Sequence, residues 1–175
     1  MIRRAKSTSS TSLPNVAGAL KLTRGGMQRT LGIRVISITP DKVTAEMPIG
    51  PQHLSVHGRV TGGVIMAFAD SVGAMGTVAR LAPGYWTTTL ESKTNFFAPG
   101  EAPAVSAVSI PLHVGRTTMV LQTTLTNTNG RTVAIVTQTQ IVMPPKPAAP
   151  ATTRRPPNPA PKKPGPGRRS SPSKK

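Results

Sequence analysis

The stretch Gly62–Ala79 (GGVIMAFADSVGAMGTVA) is apolar on every side and carries one charge, Asp70, near its centre. A helix without a polar face has to be surrounded, either by protein or by lipid. A membrane span is conceivable at this length. An acid at mid-membrane, however, costs a few kcal/mol, and four glycines thin the segment. The residues C-terminal to it are patterned as strands. The spacing therefore predicts a central helix buried in protein, with no membrane span.

Beyond this helix the hydrophobic period changes to two. Residues 86–98, 104–112, 116–127 and 132–142 are rich in Val, Thr and Ile, the pattern of strands with two distinct faces. In the last of them, Val133, Ile135 and Ile141 are expected on one face, and Ala134, Val136 and Val142 on the other. Asn127-Thr128-Asn129-Gly130 reads as a hairpin turn, and His113-Val114-Gly115 as a second. Upstream, residues 15–31 predict a modest helix with Asn15 as N-cap and Gly25-Gly26 weakening its middle. Residues 32–38 and 42–48 predict short strands around a Pro40-Asp41 turn, and residues 49–60 a Gly-, Pro- and His-rich loop. Two strands, one buried helix and four more strands have one economical arrangement. It is an α+β domain whose curved antiparallel sheet wraps around the central helix.

Charge separates the ends from this body. The formal net charge is +17, yet residues 1–12 and 144–175 hold twelve of the 22 basic residues and no acid. Residues 13–143 keep ten basic residues against all five acids, a mildly basic domain. The pI by itself therefore does not make the chain a nucleic-acid binder. Residues 144–175 include 11 prolines. So little apolar surface cannot offset the entropy of ordering, and this segment and residues 1–14 are expected to be disordered. The tail is either merely solvated or a weak contact for polyanions. The absence of Cys excludes disulfides and thiolate chemistry. It fits a reducing compartment, and the cytoplasm is the expected location. Arg3 and Arg4 are followed by Ser and Thr rather than an apolar core, so no secretory signal is read there.

The order of elements, with a glycine pair opening the buried helix and an acid within it, resembles the hotdog fold, and specifically the PaaI-type acyl-CoA thioesterases. Gly58, Gly62, Gly63 and Asp70 fall in register with that family's signature. Thr89 followed by Asn95-Phe96-Phe97-Ala98-Pro99 matches its next strand, and Gly115-Arg116 and Asn129-Gly130-Arg131 match two of its hairpins. The resemblance covers residues 15–143. Two positions depart from it: Ser55 stands where the family has Asn, and Thr61 where it has His.

Thioester hydrolysis needs a base for water and donors for the developing oxyanion. Unpaired N–H groups with partial positive charge stand at the N-terminus of a helix. Gly62 and Gly63 would let a substrate carbonyl approach them, or would simply allow close packing. Asp70 is the expected base or nucleophile, since burial would raise its pKa toward useful values; alternatively it caps neighbouring backbone. Gly62 and Asp70 lie about 12 Å apart along a helix at 1.5 Å per residue. One thioester would touch both only if two helices paired antiparallel across a twofold, so a homodimer or homotetramer is expected. The resemblance implies that Thr89 holds the attacking water and that Ser55, His57, Thr61, Phe96, Gly115, Arg116 and Arg131 contact the acyl-CoA. Arg116 and Arg131 would hold its phosphates. His53 and His57 stand four apart but in a loop with no nearby acid, and no metal is expected. Coenzyme A enters as part of the substrate, and no other cofactor is implied. A non-catalytic acyl-CoA-binding module and a polyanion-binding protein remain the alternatives.

Overall fold

The computed structural model describes residues 15–145; the ends expected to be disordered, 1–14 and 144–175, lie outside them except for Pro144 and Pro145. Element order is α1 (Val16–Lys21), α2 (Gly26–Thr30), β1 (Arg34–Ile38), β2 (Val43–Pro48), α3 (Gly62–Val78), β3 (Trp86–Phe96), β4 (Ala104–Val114), β5 (Thr118–Asn127) and β6 (Thr132–Met143). The six strands form one antiparallel sheet in the order β1-β2-β4-β5-β6-β3. Helix α3 packs against β2, β3, β4, β5 and β6, as its apolar circumference requires. Ile65, Phe68, Ala69, Val72 and Met75 on α3 meet Val43, Ala45, Met47, Val105, Ala107, Leu125 and Val136 of the sheet in one core. Burying a side chain the size of Phe68 contributes roughly 1.5–3 kcal/mol. Among the described residues, no helix is long and apolar enough to cross a membrane.

The single helix expected over 15–31 is broken. Asn15 does cap its start, accepting from the Gly18 amide at 3.0 Å. A 3₁₀ turn at Leu22–Arg24 then ends on Gly25, whose backbone is extended, and Gly26, the first residue of α2, sits at φ +59°. That left-handed conformation costs a side-chain-bearing residue roughly 1–2 kcal/mol, so the glycine pair breaks the helix rather than weakening it. The loop at 49–60 contains a 3₁₀ turn, Pro51–His53, and is pinched by a bridge between Leu54 and Val60. At the C-terminal end of α3, Arg80 donates to the Gly76 carbonyl at 2.6 Å and to the Pro40 carbonyl in the β1–β2 turn. Burial pulls its guanidinium below the ordinary value, and Asp41 partly counters this.

Strand β6 carries a correction. Val133 is buried together with Ala134, instead of sharing a face with Ile135. The β5–β6 register shifts between Leu125 and Thr126, which disturbs the alternation at that end. From Ala134 onward the core face is Ala134, Val136, Gln138 and Gln140, so two amides are turned toward the helix.

Candidate active site

Asp70 lies in the third turn of α3, among residues too apolar to bond it. The sheet supplies its partners. Thr89 Oγ1 on β3 donates to Asp70 Oδ1 at 2.8 Å, and Gln140 Nε2 on β6 donates to Thr89 Oγ1, also at 2.8 Å. Thr87 Oγ1 lies 2.9 Å from Gln140 Oε1 and 2.8 Å from the Ile141 carbonyl. Gln138 Nε2 reaches the Asp70 carbonyl and Oδ1, both at 3.4 Å. Thr89 and Gln140 face each other in the β3–β6 register, and a bulge between Thr89 and Glu91 comes immediately after. Bulges bend a strand and re-aim its side chains, and are common beside active sites. The full burial expected of a lone acid in an apolar helix is not observed. Asp70 is half-buried, turned toward the edge strand β3 where hydroxyls and amides bond it.

Gly62 and Gly63 open α3 and are exposed. Thr61 precedes them without a side-chain cap, its carbonyl accepting from Val64 and Ile65. The Phe96 ring at the end of β3 packs on Gly62; a Cβ there would lie 3.3 Å from its Cζ. The structure thus joins Gly62 to Phe96 and Asp70 to Thr89, as two centres along one helix. The N–H groups of Gly62 and Gly63, ahead of the first helical bonds, have no intrahelical acceptors, so this end can receive an anionic oxygen.

In the loop before the helix, Ser55 Oγ accepts from the His57 amide at 3.3 Å, while the Ser55 amide donates to the Arg59 carbonyl at 2.7 Å. His57 is exposed. His53 is buried, its Nδ1 accepting from the Gly50 amide at 3.0 Å. It ties the loop down, and no group of three His, Asp or Glu suited to a metal occurs among the described residues.

Arg116 and Arg131 do not come together. Gly115 and Arg116 lie at the β4–β5 turn, whereas Arg131 lies at the β5–β6 turn, with the ten-residue strand β5 between them. At ~3.4 Å per residue that is roughly 30 Å, so one set of coenzyme A phosphates would not span both in a single chain. Arg131 lines a cleft of about 390 Å³ with Phe97, Thr132 and Ile135, just beyond the end of β3. Arg116 is exposed.

Gln138, Gln140 and Thr87 are functional candidates missed at the level of sequence. The signal was present: two glutamines occupy inward positions of a strand whose other inward residues are apolar.

The model of the thioesterase superfamily matches residues 57–134. A thioesterase of Pseudomonas aeruginosa is 30% identical over 115 residues, 65% of this chain and 79% of the relative. The crystal structure of a variant of it aligns with a TM-score of 0.71 at 25% identity, covering 78% of this chain and 99% of that one. The 1,4-dihydroxy-2-naphthoyl-CoA hydrolase of Listeria monocytogenes is 24% identical over 110 residues, 63% of this chain and 89% of the relative. The Escherichia coli PaaI protein of the phenylacetic acid degradation operon shares the fold. Its TM-score is 0.67 at 22% identity, covering 77% of this chain and 99% of that one.

Proposed function

The chain belongs to the hotdog-fold thioesterase superfamily and is a thioester hydrolase, and from that premise we propose that its substrate is an acyl-CoA, with Asp70 as general base. The observation that carries this reading is the bond from Thr89 to Asp70 Oδ1. It leaves Asp70 Oδ2 without a protein partner among the described residues, and Thr89 with one unused lone pair. A water held at both would give one proton to Asp70 as its oxygen attacks the thioester carbonyl. The C–S bond then breaks, and the proton on Asp70 passes to the departing thiolate, yielding free acid and coenzyme A. No redox or metal step is needed.

The amides of Gly62 and Gly63 would hold the oxyanion. They lie about 12 Å along the helix from Asp70 of the same chain, so the complete site takes these amides from a second copy. Strand β3, 11 residues long, is a sheet edge and offers the surface for such pairing. Phe97 and Arg131 would receive the nucleotide end of coenzyme A, an aromatic ring and a cation lining one cleft. The Listeria relative, a hydrolase of an aromatic acyl-CoA by name, supports this substrate class.

Asp70→Asn tests the reading. Asn keeps an oxygen to accept from Thr89 but takes no proton from water. Turnover of a panel of aromatic and medium-chain acyl-CoAs should fall about 10²–10⁴-fold, with binding and melting little changed. A folded variant with wild-type turnover would show the assignment to be wrong. A variant losing stability, binding and turnover together would mark Asp70 as structural, as in a non-catalytic module. Thr61→His, which restores the family residue, is expected to raise turnover.

A further inference from the structure

We infer that Gln140 is a positioning residue for the reaction: through Thr89 it sets which oxygen of Asp70 is left to accept the proton of water. The inference rests on Asp70 being the base. Gln140 is fully buried on β6. An amide buried without partners costs several kcal/mol in an apolar surrounding, but both ends of this one are bonded, Nε2 to Thr89 and Oε1 to Thr87.

The polarity of this chain of groups follows from one fact: an ionised carboxylate only accepts. Thr89 must therefore donate its single hydroxyl proton to Asp70 Oδ1. Its oxygen is then an acceptor, so Gln140 must present Nε2 to it. That turns Gln140 Oε1 toward the Thr87 hydroxyl, whose single proton lies between Oε1 and the Ile141 carbonyl. No other orientation of Thr89 and Gln140 lets the carboxylate accept from Thr89 while Thr89 accepts from Gln140. Hydrogen bonds in such a chain polarise one another. With Gln140 in place the Thr89 hydroxyl has no competing acceptor in the interior, and its proton stays on Oδ1. Oδ2 is then the oxygen that faces water. Without Gln140 the hydroxyl is free to rotate about χ1, and the carboxylate loses its fixed orientation.

Gln140→Met removes both bonds at nearly constant volume. It should lower kcat about tenfold and leave KM within about twofold, with the variant folded by near-UV circular dichroism. Gln140→Glu keeps the shape but presents an acceptor where a donor is needed, and should lower kcat further. The decisive measurement is a cycle with Thr89→Val. If Gln140 acts through Thr89, adding Gln140→Met to Thr89→Val should change kcat less than about twofold, so that the two losses do not multiply. Thr87→Val, on the edge strand, loosens Gln140 from its other end and gives the same test should Gln140→Met not fold. Its kcat should fall about threefold at unchanged KM. Wild-type kcat in the folded Gln140→Met or Thr87→Val protein would overturn the inference, as would losses that multiply in the cycle. These outcomes are separable from failure of the base assignment, which Asp70→Asn reports independently.

Discussion

Gln138→Met should stabilise the fold although it deletes a hydrogen-bonding residue beside Asp70. Gln138 is 1% exposed and its Oε1 has no partner. Turning the amide around offers no relief, because Oε1 would then face two acceptors, the carbonyl and Oδ1 of Asp70. The two contacts made by Nε2 are 3.4 Å long. Each is therefore weaker than the ~0.5–1.5 kcal/mol of an ordinary bond, whereas an orphaned buried acceptor costs ~1–3 kcal/mol. The side chain lies against Gly73, where a Cβ would come within 2.3 Å of Oε1, so the site takes an unbranched chain and little more. Met is such a chain, and it brings no polar atom that needs a strong partner. The expected gain is about 1 kcal/mol, or roughly 3–4 °C in melting temperature for a domain of this size. Thermal and urea unfolding followed by circular dichroism would measure it. Turnover should fall about threefold as Asp70 loses a donor. A lower melting temperature would refute the reasoning, since the long contacts to Asp70 would then outweigh the orphaned oxygen.

Asn15→Ala removes the cap on α1 and should cost about 1 kcal/mol, read as a lower thermal midpoint with turnover unchanged. Arg131→Ala should raise KM for acyl-CoA about tenfold, the scale of one charge-assisted bond, while Arg116→Ala should leave KM as it is; steady-state kinetics of the two variants separates them. Sedimentation at micromolar concentration should show a dimer or larger, and a fully active monomer would refute the composite site.

Much of this architecture is written in local pattern. The apolar circumference of residues 62–78 can be satisfied only at the centre of a domain, and period-two alternation after residue 85 can be satisfied only by a sheet packed on it. The break at Gly25-Gly26 was half legible. Glycine signals weakness in a helix, but the extended and left-handed backbone that ends α1 and restarts as α2 follows from packing against α3. Asp70 stood out as the lone charge of an apolar helix and Thr89 only through a family resemblance, and their bond was beyond reach of the sequence. It depends on β3 crossing the sheet to pair with β6 at the edge, a contact between segments some fifty residues apart. The inward glutamines at 138 and 140 stood out against the alternation, yet their meaning waited on which strand lay opposite. Arg116 and Arg131 illustrate the converse. Both hairpin arginines were expected on coenzyme A phosphates, and the length of β5 puts them at opposite ends of that strand within one chain. Periodicity is set by the backbone within a few residues, so sequence determines which faces are buried. The pairing of the Thr89 hydroxyl with the Asp70 carboxylate and the Gln140 amide, each at 2.8 Å, is set by sheet order and register, which only the tertiary structure decides.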